Sequence, residues 1–224
     1  MTIMSATGTA SGTATVSGVA RMKHSFSMQH LVAGRHFASL ASQIQGKGKI
    51  TEQDASELRA YVAGTVIFSV AFLEASINEL YLEALDRNTA TLNGLTAQQM
   101  AVLAELWETV EQHQLLGKYQ IALAACGKSR LDKGAEPFQG TDGLVKMRNV
   151  LIHYRPEWND ELEEHKKVQD RLNGRFPLNP LANAGSLWFP DQCLGAGCAE
   201  WAIKQVVDFM REFCSHLGVR CRLP

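Results

Sequence analysis

Arg148, Asn149 and His153 fall within the stretch Lys146-Met147-Arg148-Asn149-Val150-Leu151-Ile152-His153-Tyr154-Arg155-Pro156. An imidazole titrates near neutral pH and can take or give a proton during a reaction. The guanidinium of an arginine offers a planar fork of donors that fits phosphate oxygens. Asn149 precedes His153 by one helical turn, where an amide can orient the imidazole or a substrate. Pro156 disfavours helical geometry at Arg155, so a helix carrying these residues must stop there. In an ideal helix Arg148 and His153 stand roughly 140° apart around the axis. They converge only if the last turn unwinds or if a second chain completes the cleft.

A fourth candidate is Glu74. Ala71, Glu74, Asn78 and Tyr81 are spaced three and four residues apart, so a helix places them on one face. Glu74 lies between Leu73 and Ile77 in a stretch expected to be well buried. A buried carboxylate needs a cation or strong donors, and Arg148 is the candidate partner. The alternative is that Glu74 reaches solvent or a dimer interface. From Lys118 to Arg155 the chain carries seven basic residues against Asp132, Glu136 and Asp142, so the neighbourhood of His153 is expected to be positive. Tyr154 is expected in the core or an interface, with base stacking as the other role open to it.

The elements that must hold these residues are helices. Met28, Leu31, Val32, Ala38, Leu40 and Ile44 recur near helical spacing from Ser27, and Gly46 ends the run. Thr51 and Asp54 resemble a capping box, followed by a long helix to about Asp86 that would span roughly 50 Å as the spine of a bundle. Thr96 caps Ala97 to Glu111, and a further helix runs from Gln114 to Cys126. Lys128 to Gly140 reads as a loop, after which Thr141 or Asp142 caps a short helix to about Tyr154. A charged helix is expected over 159–172, irregular chain over 176–193, and a last helix over 198–217 capped by Gly218. The fold class is all-α, an up-and-down bundle.

Composition agrees. Of 224 residues 46% are apolar and 20% charged, which excludes disordered, collagen-like and disulfide-scaffold classes. Lys and Arg total 22 against 23 Asp and Glu, net −1, which excludes a protein coated in positive charge but not a local phosphate site. Residues 1–24 are mostly small and polar and read as a flexible arm, leaving 25–224 as one domain. The apolar run Ala60 to Leu73 is too short for a membrane span. Five cysteines with no secretory leader read as reduced thiols in a cytoplasmic protein.

The combination of Arg148, Asn149 and His153 before a forced helix stop resembles the Arg-(four to six residues)-His motif of HEPN domains. That all-α family includes many metal-independent endoribonucleases. In motif detail the resemblance covers about eleven residues, and in helix order roughly 52 to 217. It implies a helical bundle in which Arg148 binds the scissile phosphate, His153 moves protons, Asn149 assists and Glu74 supports Arg148. It further implies a homodimer pairing two motifs, RNA as substrate, no cofactor and no metal. A toxin or defence role, with an antitoxin or regulatory partner, would fit. The rival expectation is a non-catalytic dimerisation module of the same fold.

Other signals fall short. Arg211 and His216 repeat the spacing, but Asn is missing and Phe213 reads as core. Cys193, Cys198, Cys214, His216 and Cys221 lack the tight pairs of a zinc site. Gly195-Ala196-Gly197 follows no strand and is no dinucleotide fingerprint. Trp107, Trp188 and Trp201 are expected to pack in the bundle, and Trp158 to be exposed near the motif.

Overall fold

In a computed structural model, residues 23–158 and 160–223 are described. They form seven α-helices: α1 (Ser27–Gln45), α2 (Glu52–Leu85), α3 (Ala97–Val110), α4 (Leu115–Ala125), α5 (Phe138–Ile152), α6 (Glu164–Leu172) and α7 (Ala196–Leu217). A short π-type turn, Trp188–Gln192, lies before α7. Among the described residues there is no strand, and the protein is an all-α bundle. The expected N-terminal arm lies outside the described residues except for Lys23 and His24; Lys23 pairs with Asp86 at the end of α2.

The bundle is built around α2, which touches α1, α3, α4, α5 and α7. By length and composition alone α2 could cross a membrane. Here Val62, Val66, Val70, Leu73 and Ile77 on it are fully buried among the other helices. Gly64 lets α1 approach closely, since a Cβ there would stand 2.8 Å from the Phe37 ring. The helix starts as its sequence predicts: Thr51 accepts from the Asp54 N–H, and the Asp54 carboxylate accepts from the Thr51 N–H. At the other end of the chain Gly218 closes α7 with φ +82°, the left-handed conformation expected of a C-terminal glycine.

Two helices start elsewhere than expected. α5 begins at Phe138, a turn before Thr141, because the Pro137 carbonyl is engaged three ways. It accepts from the Thr141 N–H at 3.0 Å, from the Thr141 hydroxyl at 2.8 Å, and from Gln205 Nε2 of α7 at 2.7 Å. Thr141 therefore bonds backwards inside the first turn instead of capping it. α6 begins at Glu164 rather than near residue 159. Its first N–H groups, those of Glu164 and His165, donate to the Glu157 carboxylate at 2.9 and 3.2 Å. These hydrogen bonds, the Glu164 N–H foremost, hold the Glu157 carboxyl below the usual glutamate value.

α1 has no side-chain cap of its own. Glu79 of α2 supplies it, accepting from the Phe26 and Ser27 N–H groups at 2.7 and 2.8 Å and from the Ser27 hydroxyl at 2.6 Å. Burial pushes the Glu79 carboxyl up, but hydrogen bonds from Ser25, Ser27 and Phe26 outweigh it and leave the group lowered from 4.5. The stabilisation is therefore full above about pH 4.5 and is lost as pH falls through the lowered folded value. Glu79→Ala is expected to cost about 1–2 kcal/mol in urea unfolding at neutral pH. The deficit relative to wild type should shrink as the pH drops below 4; a deficit independent of pH would contradict the charged cap.

Candidate functional site

α5 carries the motif and is held by its neighbours α2, α6 and α7. It remains helical through Ile152, and the His153 N–H still donates to the Asn149 carbonyl at 2.9 Å. The chain leaves the helix only at His153 itself (φ −105°, ψ 37°). His153 is exposed, as is Asn149 one turn earlier. The last turn thus does not unwind far enough to swing Arg148 round to His153 within one chain, and the roughly 140° between them stays.

Arg148 turns towards α2. Its Nη2 lies 3.6 Å from Glu74 Oε2, with the two side chains 23% and 48% exposed. That is an ion pair too long to be a hydrogen bond, and at this exposure such a pair contributes at most about 1 kcal/mol. The Arg148 Nε is buried without a hydrogen-bond partner. The expected pairing of Glu74 with Arg148 is present, but the expected burial of Glu74 is not. Leu73 and Ile77 are fully buried, yet they lie about 100° and 60° to the same side of Glu74 around the helix. The carboxylate consequently sits at the margin of the apolar face.

The rest of that α2 face continues into the bundle. Asn78 Oδ1 accepts from Lys118 Nζ of α4 at 3.0 Å, and the Tyr81 hydroxyl donates to the Lys118 carbonyl at 3.0 Å. Lys118 is only 3% exposed. One of the seven basic residues counted around His153, it is instead an interior side chain beside the Asn78 amide. No local pattern marks it, because a single lysine in the helix Leu115–Ala125 reads as its solvent face.

On the other side of α5 lies a cleft of about 1130 Å³ between α4, α5 and α6. Asn149 opens into it, but neither Arg148 nor His153 lines it. Lys133, Lys146, Lys167, Arg171 and Arg175 line the cleft against three carboxylates, Asp142, Glu164 and Asp170. Asp142 is shared by Lys146 and Arg171, Glu164 pairs with Lys167, and Glu136 just outside the lining pairs with Arg175, so the cleft carries a small excess of positive charge.

Beyond His153 the chain runs through exposed aromatics. Tyr154 is 48% exposed and Trp158 78%, so Tyr154 is not a core residue. One face of the Tyr154 ring stacks on His165 at 5.4 Å between centroids and 21° between planes. His165 is buried and packs in turn on Phe189 at 4.9 Å. Its Nδ1 stands 3.4 Å from the Glu157 carboxylate that caps α6. Glu157 and His165 were missed in the sequence; the contact joins residues on either side of an irregular connection.

The remaining signals resolve structurally. Trp188 is buried, and Trp107 and Trp201 are partly buried against the core. Phe213 is buried, and His216 sets Nδ1 3.0 Å from the Ser129 carbonyl. Burial raises the thiols of Cys126, Cys193, Cys198 and Cys214 above the ordinary range, which makes them poor nucleophiles. Among the described residues no group of three His, Cys, Asp or Glu side chains is placed to hold a metal ion. Compared with known proteins, the chain has no significant match to a family model, a curated protein or a solved structure.

Proposed function

We propose that this chain is a metal-independent endoribonuclease of HEPN type that acts in the cytoplasm as a homodimer. The observation that carries the reading is Arg148 on α5, the helix that ends at exposed His153: a guanidinium largely withdrawn from solvent and loosely held by Glu74 of α2. The Nη donors of a guanidinium held this loosely are open to exchange Glu74 for a phosphate, while the buried Nε fixes the base of the fork. The ribose 2′-hydroxyl attacks the adjacent phosphorus as an imidazole takes its proton. The phosphorus–5′-oxygen bond breaks, and the departing oxygen receives the proton that the imidazolium now carries. Arg148 meets the charge that builds on the non-bridging oxygens. The products are a 2′,3′-cyclic phosphate and a 5′-hydroxyl. Positive charge along the cleft beside Asn149 favours the flanking strand.

Because Arg148 and His153 diverge on one helix, the site is completed by His153 of a second copy. Complementation tests this. Arg148→Ala and His153→Ala, each inactive alone, should together regain about a quarter of wild-type cleavage after subunit exchange, since half the dimers are mixed and each holds one intact site. No recovery in mixtures shown to contain mixed dimers would place the site within one chain or remove it. A toxin or defence role, with an antitoxin or regulatory partner, fits such an activity, and expression should then slow growth. A second reading, a non-catalytic interaction module, draws on Ile152, Tyr154 and Trp158, apolar side chains exposed beside the motif. It predicts dimers that leave RNA intact.

A further inference from the structure

Tyr154 is the one exposed aromatic ring next to His153 that is braced from behind. Buried His165 supports one face nearly in parallel, and Phe189 and the α6 cap at Glu157 hold His165 in turn. The ring is therefore held as a plate against His165 and Phe189, while the residue as a whole is 48% exposed. A fixed aromatic plate suits a flat π-system, since little side-chain freedom is lost on stacking. Its immediate chain neighbours, His153 and Arg155, are exposed and polar or cationic, which suits a nucleobase joined to a phosphodiester, although Ile152 and Trp158 nearby are exposed and apolar.

We infer that Tyr154 is the base-stacking platform of the site and restricts its substrate to unpaired RNA. The inference rests on the ribonuclease reading above. A base inside an A-form duplex stacks on its neighbours and offers no free face, whereas a splayed base in a loop or single strand does. Stacking on Tyr154 would anchor the nucleotide next to the phosphate that Arg148 and His153 address. Discrimination between bases should be slight, because every base has a π-face.

The test combines a change in the protein with a change in the RNA. Affinity is measured in EDTA with His153→Ala protein, which binds without cutting, and a short single-stranded oligoribonucleotide. Adding Tyr154→Ala should weaken binding by roughly tenfold to a hundredfold, the range for losing one base–aromatic stack. Tyr154→Phe should bind like the parent. A scan placing one abasic ribose at each position of the strand should find a position that costs the parent a similar factor and costs the Tyr154→Ala protein almost nothing. A merely structural role for Tyr154 would instead make the two losses multiply at every position. The same sequence as a duplex should bind weakly to both proteins. Losses that multiply throughout, or equal binding of duplex and single strand, would overturn the inference while leaving the nuclease intact. A Tyr154→Ala change that dissociates dimers without altering RNA affinity per dimer would assign the ring to a protein interface. Wild-type protein that neither binds nor cuts RNA would remove the ribonuclease reading itself, and the inference with it.

Discussion

His153→Ala is expected to slow RNA cleavage by roughly a hundredfold to ten-thousandfold, the contribution of a positioned acid–base group. The loss should fall on kcat, with KM little changed, because imidazole is assigned to proton transfer rather than to holding the strand. Folding should be unaffected. His153 is exposed at the end of α5 and joins it through a backbone N–H that alanine retains, and such surface changes usually stay within about 0.5 kcal/mol. His153→Gln keeps a hydrogen-bonding side chain but cannot exchange protons at neutral pH, so it should be as inactive as alanine. Arg148→Lys probes the other half of the site. It keeps the charge but loses the planar fork, and a loss of roughly a hundredfold is expected from the weakened hold on the phosphoryl oxygens. Cleavage by purified His153→Ala at the wild-type rate would remove His153 from the mechanism.

Tyr119→Ala is expected to have the largest effect on stability, about 3–5 kcal/mol. The Tyr119 ring is fully buried on α4 and meets Phe209 and Phe213 of α7 edge-on, at 4.9 and 4.7 Å between centroids. Its hydroxyl donates to the Leu73 carbonyl of α2 at 2.7 Å. Burial pushes the phenol well above its usual range, so it remains a neutral donor. One side chain thus ties three helices together, at the residue before Glu74 and next to Lys118. Whole domains are stable by only about 5–15 kcal/mol, so the variant should be near its folding threshold at 37 °C. Tyr119→Phe removes only the hydroxyl and should cost about 1 kcal/mol. Denaturant midpoints with unchanged m-values would measure both. A Tyr119→Ala protein within 1 kcal/mol of wild type would contradict this packing.

Where a structural signal is local, the sequence carries it. The box at Thr51 and Asp54, the left-handed Gly218 and the end of α5 near Pro156 each depend on a few adjacent residues. Helix starts set by side chains outside the first turn are illegible. At the start of α5 the Pro137 carbonyl takes a bond from Gln205, more than sixty residues on, besides those from Thr141, and α6 begins late because Glu157 caps it across an irregular connection. The candidate site divides in the same way. Helical spacing alone puts Glu74, Asn78 and Tyr81 on the face that meets α4 and α5. Whether Glu74 is buried depends on which side of it the apolar residues fall, and the burial of Lys118 on how deeply α4 sits against α2. Neither is written in a run of neighbouring residues.

The central claim is most directly tested by incubating purified protein with mixed RNA in excess EDTA and identifying the ends produced. Wild type should cut and leave 2′,3′-cyclic phosphate and 5′-hydroxyl ends, while His153→Ala and Arg148→Ala, folded and dimeric, should not. Intact RNA with folded, dimeric wild type, or equal cutting by all three proteins, would contradict a metal-independent site built on Arg148 and His153.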